Sequence, residues 1–374
     1  MCDRPVTSES ITLTDCLSCA GCVSITDESE SEYKAAIEMI KNGSVNIIIT
    51  PQAKVSLFVT HSAKKNKTFR EFEYALVKYL AKYKNIVIDS TVGSKLLLQK
   101  EIDLVSRSAL EGDKSAPIIS TICPGTVLYL VNTLGADIKL SNNLSPVELS
   151  SKYVNAIYNA NPNVSIVMCK DKRIEAKKNS YIKYAITTKE FYDHFLKEAW
   201  EDKNDLEAQN ESKQNNEEYS EFERKYSVAR ILDGSTSGGV FEGVLAYLLK
   251  AENTSDSPEV IKKIPKHIEF LLPKENKKVL QLFGSSRIIS FISKVKKNPS
   301  VLLEYLYIEM NMCIGGCLFG PSQSSVVNSQ LYMEIMQDSL SQEAVQVDPS
   351  MIKETRAFGC YKKSKEKRNY LVEW

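Results

Sequence analysis

The chain has 374 residues, 43% hydrophobic and 25% charged, with 48 Lys and Arg set against 47 Asp and Glu. That length favours two or three domains or lobes over a single core, and the balanced charge carries neither the basic footprint of a nucleic-acid binder nor a signature of an acidic partner. No apolar run approaches the roughly 20 residues that span a bilayer, and the opening "MCDRPVTSES" holds no apolar or Arg-rich address, so the cytosol or nucleus is expected, where thiols stay reduced.

Residues 1–32 are polar, Cys-rich and too few to bury a core, so something else must order them. Within "DCLSCAGCVS", Cys16, Cys19 and Cys22 fall at intervals of three. Thiolates so spaced can wrap a cubane iron–sulfur cluster corner by corner, and Gly21 lets the backbone approach the inorganic sulfides. A fourth thiol three residues on is missing, and Cys2 in "CDRP" is the one near enough in sequence to replace it. Zinc is the rival occupant, although zinc knuckles pair C-x2-C with a second such pair.

A helical stretch, "SEYKAAIEMIKNG", then leads into the strand-like "VNIIIT". "NIVIDS", "APIISTICPG" and "VSIVMCK" repeat the β-branched apolar pattern, alternating with helical segments such as "FREFEYALVKYLAKY". Near-continuous apolar strands between helices predict an α/β fold with a parallel sheet covered on both faces. Two of these strands end in a thiol, Cys123 and Cys169, where open α/β sheets place their ligand sites. From Glu201 to Lys225 the composition turns highly charged, which reads as a solvated insertion.

Next comes "LDGSTSGGVFEGVLAYLL", a loop with Gly234, Gly238 and Gly239 opening an apolar helix. Amides at such a helix start can receive an anion or anionic cofactor, but glycine equally permits tight helix packing. "NMCIGGCLFGPSQ" sets Cys313 and Cys317 four apart. Cys123, Cys169, Cys313 and Cys317 would complete a second cubane; from spacing alone, Cys123 and Cys169 read as well as buried core thiols. Cys360 has no visible partner and reads as structural.

"TICPG", "VMCKDKRIEA", "STSGGVFEG" and "MCIGGCLFG" follow one another in the order of the iron-only hydrogenase signatures. With "CDRP", "ITLTDCLSCAGCVS" and "ITPQAKVSL" before them, the chain resembles the hydrogenase-like branch of Nar-type cytosolic iron–sulfur protein assembly factors over nearly its whole length. The resemblance implies a two-lobe fold with parallel sheets, plus a small ferredoxin-like segment at the N-terminus. The expected organisation is an iron–sulfur segment over 1–44, a first α/β lobe over 45–200, the insertion at 201–225, a second lobe over 226–350 and a tail over 351–374.

It further implies two [4Fe–4S] clusters, one on Cys2, Cys16, Cys19 and Cys22, the other between the lobes on Cys123, Cys169, Cys313 and Cys317. Lys172, Gly238 and Gly239 would form the surroundings of the second. Lys172 and Glu175 could equally be a structural ion pair or neutralise an anionic cluster. The signature departs from hydrogenases where a proton-relaying Cys precedes Cys-Pro: here Ile122 stands and carries no proton. Val167-Met168 replaces a Met-Pro pair, and Phe319, Pro321 and Ser322 interrupt a glycine string, which leaves less room for a diiron unit.

The implied role is therefore a non-enzymatic assembly factor, cytoplasmic with the nucleus as a second compartment. It would bridge P-loop scaffold proteins and the targeting complex with its WD40 subunit and deliver clusters to apo iron–sulfur clients, with no direct contact to nucleic acid or membrane. The final "LVEW" resembles the aliphatic–acidic–aromatic tail that docks on that complex, through Glu373 and Trp374, although Val372 is unusual there. The rivals are an iron-only hydrogenase or cluster-based redox enzyme, and a zinc-stapled interaction protein.

Overall fold

Two β-sheets, each with helices on both faces, carry the fold. The computed structural model describes residues 29–62, 68–110, 116–134, 138–157, 161–198, 236–251, 259–264, 267–272 and 276–339, over which elements are numbered. Cys2, Cys16, Cys19, Cys22, the charged stretch 201–225, Cys360, Glu373 and Trp374 lie outside the described residues.

The first sheet is wholly parallel, in the order β2 (Ile86–Asp89), β1 (Asn46–Ile49), β4 (Asn163–Val167), β5 (Tyr184–Thr187). Every residue of β1 and β4 is buried, as a strand covered on both faces requires. Because successive side chains alternate, Ile47 and Ile49 enter one core with α1 (Ser29–Asn42), α2 (Pro51–Ser62) and α3 (Phe69–Ala81). Ile48 enters the other, with α4 (Thr91–Leu110) and α6 (Pro146–Ile157). The strand starts are tied together by side chains: Asn46 Nδ2 donates to Asn163 Oδ1 at 2.9 Å. Thr68 begins α3 with a reciprocal cap, accepting from the Glu71 amide at 3.2 Å while Glu71 Oε2 accepts from the Thr68 amide at 2.8 Å.

The second sheet runs β3 (Ile118–Ser120), β9 (Tyr305–Asn311), β8 (Lys277–Phe283), β7 (His267–Leu272), β6 (Glu259–Ile264). β3, β9 and β8 are mutually parallel, whereas β6, β7 and β8 form an antiparallel meander. The parallel expectation thus holds for the first sheet and for one half of the second. β3 sits inside the stretch expected to build the first lobe, yet its ladder is with β9, far along the chain.

One face of this sheet packs on α5 (Pro124–Leu134) and α10 (Ser285–Lys297) through Leu130, Ile288, Phe291 and Ile292. The other packs on α9 (Val240–Ala251) through Phe241, Val244 and Leu248. Helix α4 serves both sheets: Val92, Leu96 and Leu97 lie in the core of the first, and Val105 in that of the second. At its start Gly93 meets α6 so closely that an added Cβ would stand 1.9 Å from the Pro146 carbonyl oxygen.

Candidate metal centre

Three parallel strands deliver four thiols from their carboxyl ends, where α/β sheets build their sites. Cys123 follows β3 and precedes Pro124, the first residue of α5. Its amide donates to Thr121 Oγ1 at 3.0 Å, which fixes the turn. Cys169 follows β4 with extended backbone, immediately before a 3-10 turn at Lys170–Lys172. Cys313 and Cys317 follow β9 on a tight loop closed by the Gly316 amide on the Cys313 carbonyl at 3.2 Å. Gly315 and Gly316 have φ of 82° and 96°, a conformation that disfavours any residue with a Cβ.

All four thiols are at most 9% exposed, and none is in a disulfide. Burial raises the thiols of Cys169 and Cys313 well above their ordinary range and pushes Cys317 up to about 12. Their mutual fields add to this: Cys123 and Cys317 act on Cys169, and Cys317, Cys123 and Cys169 act on Cys313. The four sulfurs therefore share one buried region. Among the described residues, no three His, Cys, Asp or Glu side chains close around a single metal ion. Four thiols and no imidazole or carboxylate donor make a set whose chemistry fits a thiolate-bound iron–sulfur cluster.

The charge around the thiols is also organised. Lys172, 3% exposed, donates from Nζ to the Ile122 carbonyl at 2.8 Å and to Glu175 Oε1 at 2.7 Å. Burial alone would lower its pKa, but Glu175 and the sulfurs of Cys317 and Cys169 outweigh burial and raise it. The result is a buried cation facing two candidate ligands. Asp171 beside it is pushed up to about 7 by burial, against the pull of Lys172.

Gly238 and Gly239 take φ of 102° and 76° in the loop before α9. The amide of Phe241, in the first turn of α9, donates to the Glu309 side chain. The loop braces the C-x3-C turn, with the Leu318 amide on the Thr236 carbonyl at 3.0 Å and the Cys317 amide on Ser237 Oγ at 3.4 Å. Thr236 and Ser237 were not singled out in sequence; their hydroxyls immediately before the glycine pair were the available signal.

The interrupted glycine string is packed tightly. The Phe319 ring lies where a Cβ on Gly315 would come within 2.9 Å, and Gly320 approaches the Met168 carbonyl so that its Cβ would stand 2.5 Å away. Ile122, the residue in place of the relaying Cys, is 6% exposed and packs among apolar neighbours.

Two sheets whose strand ends converge on buried thiols define an α/β protein of the hydrogenase-like iron–sulfur class. The model for the C-terminal domain of the iron-only hydrogenase large subunit matches residues 44–321, and the chain belongs to that family. Among curated proteins it is 23% identical over 321 residues to the cytosolic Fe-S cluster assembly factor NAR1 of Encephalitozoon cuniculi, covering 84% of this chain and 81% of that one. It is also 23% identical over 355 residues to the cytosolic iron-sulfur assembly component 3 of Bos taurus, covering 84% and 71%. Among solved structures, a variant of the [FeFe]-hydrogenase HydA1 from Chlamydomonas reinhardtii superposes with a TM-score of 0.58 at 17% identity, covering 84% of this chain and 88% of that one, a likeness of fold.

Proposed function

We propose that this chain is a non-enzymatic iron–sulfur assembly factor carrying two [4Fe–4S] clusters. Cys123, Cys169, Cys313 and Cys317 hold the interior one, with Lys172, Gly238 and Gly239 around it. Cys2, Cys16, Cys19 and Cys22 hold the other. The observation that supports this reading is the grouping of four buried thiols from three strand ends, two of them, Cys169 and Cys317, facing the buried ammonium of Lys172. When bound, a cubane accepts thiolate charge and can pass single electrons. The protein's own contribution is to bury the ligands, neutralise them through Lys172 and exclude water.

Hydrogenase activity is disfavoured by the same residues. Ile122 offers no titratable group beside Cys123, and Lys172 donates to Glu175 and the Ile122 carbonyl. The names of the relatives support a place in cytosolic cluster assembly, between P-loop scaffold proteins and the targeting complex with its WD40 subunit, with apo iron–sulfur proteins as clients. Glu373 and Trp374 are the proposed contact to that complex. A cytoplasmic site agrees with those names, and no helix among the described residues is long and apolar enough to cross a membrane.

The deciding experiment is iron and acid-labile sulfide per chain after anaerobic reconstitution. Two cubanes give about eight of each and one gives about four. Replacing Cys313 and Cys317 together by Ala is expected to remove about four of each. Full retention in that double variant overturns the ligand assignment, and hydrogen evolution from reduced dye by the intact chain overturns the non-enzyme reading.

A further inference from the structure

The loop Thr236–Gly239 is bound to the C-x3-C turn more closely than packing alone needs. Gly316 must lack a side chain there: a Cβ on it would stand 2.4 Å from Thr236 Oγ1 and 2.6 Å from Ser237 Oγ. Ser237 is 3% exposed, and its oxygen accepts the Cys317 amide at 3.4 Å. A serine hydroxyl has one proton. The hydroxyl is also a hydrogen-bond partner of the Cys317 side chain, and toward a ligand thiolate, which has no proton, it acts as the donor.

We infer that Ser237 is a positioning residue for the interior cluster: it orients Cys317 through the amide and donates a hydrogen bond to its sulfur, which raises the cluster's reduction potential and slows its loss. The physical reason is that a donor on a ligand sulfur favours the more negative, reduced state of the cluster, and hydrogen bonds to the sulfurs are among the controls of potential. Outer partners that orient a ligand are typically worth about 10–100-fold in metal affinity. Gly238 and Gly239, with positive φ, turn the chain between Ser237 and the start of α9.

The inference rests on the ligand set proposed above, and the test separates the two. The full chain is reconstituted anaerobically, and iron and sulfide are counted first. Potentiometric titration of the chelator-resistant cluster is then compared in the native chain, Ser237→Ala, Ser237→Thr and Ser237→Cys. The Ala variant is expected to shift the midpoint to more negative potential and to release iron to a chelator about tenfold faster or more. Thr, which keeps the hydroxyl, is expected to stay at the native midpoint, with Cys, a weaker donor, between Thr and Ala. If the Ala protein does not load, Cys falling below Thr still supports the inference. An Ala midpoint equal to the native one, or a Thr shift as large as that of Ala or Cys, overturns it and leaves the ligand assignment standing. A native chain without an interior cluster removes both.

Discussion

Glu309 lies on β9, 2% exposed, and accepts hydrogen bonds from Gln281 Nε2 and Asn311 Nδ2, each at 3.1 Å. Burial, with Glu242 and Glu101 nearby, pushes its carboxyl up to about 8, against the donors Gln281 and the Phe241 amide. Tyr307 and Cys317 also face this group, and both are pushed upward by burial. Between the ordinary value of 4.5 and about 8, the folded chain keeps a proton that the unfolded chain has released. Its contribution is complete below the lower value and is lost as pH rises through the upper one. Thermal melts across that interval should show falling stability, and Glu309→Gln, which cannot titrate, should flatten the slope; an unchanged slope refutes the assignment. At this scale the sequence was partly legible. Cys123, Cys169, Cys313 and Cys317 stood out through their motifs and Ile122 through a departure from them, whereas Glu309 and Ser237 act through neighbours that only folding supplies.

At the scale of elements, the legible parts were those with a strong local signature. "NIIIT", "NIVIDS" and "VSIVMC" are near-continuous apolar runs, and their segments form β1, β2 and β4 of the parallel sheet. The meander β6–β8 was not legible, because "EVIKKI" and "HIEFLL" mix charged with apolar residues and β7 is only partly buried. The contact between α4 and α6 was hidden for another reason. Gly93 looks like an unfavourable residue in a helix, and its value appears only where the Pro146 carbonyl meets it and the Ser150 hydroxyl accepts its amide at 2.9 Å. Gly93→Ala should force the two helices apart and destabilise the chain by about 1–3 kcal/mol in denaturant unfolding. A neutral result would mean that α6 moves aside at little cost.

Across the whole molecule, the proposed interior ligands come from both sheets: Cys169 follows β4 of the first, and Cys123, Cys313 and Cys317 follow β3 and β9 of the second. A cluster there would be a cross-link between the two cores, and a ligand that binds only the folded chain stabilises it by mass action. Removing iron with a chelator under reducing conditions should lower Tm by ~5 °C or more. Hydrogen exchange should quicken first at the 313–320 turn and the 236–239 loop. Equal protection in the loaded and stripped chains would sink the cross-link.

The pairing of β3 with β9 also sets an order of events in the cell. On the ribosome, Cys123 emerges long before Cys313, and at about 5–20 residues per second the interval is roughly ten to forty seconds. Throughout that time the strand ahead of Cys123 has no β9 to join, and the thiol waits in a nascent polypeptide. Loading of the proposed interior cluster would therefore fall after translation of the 313–317 turn, and an oxidant burst during synthesis would reach the thiol of Cys123 in unfinished chains before folding buries it.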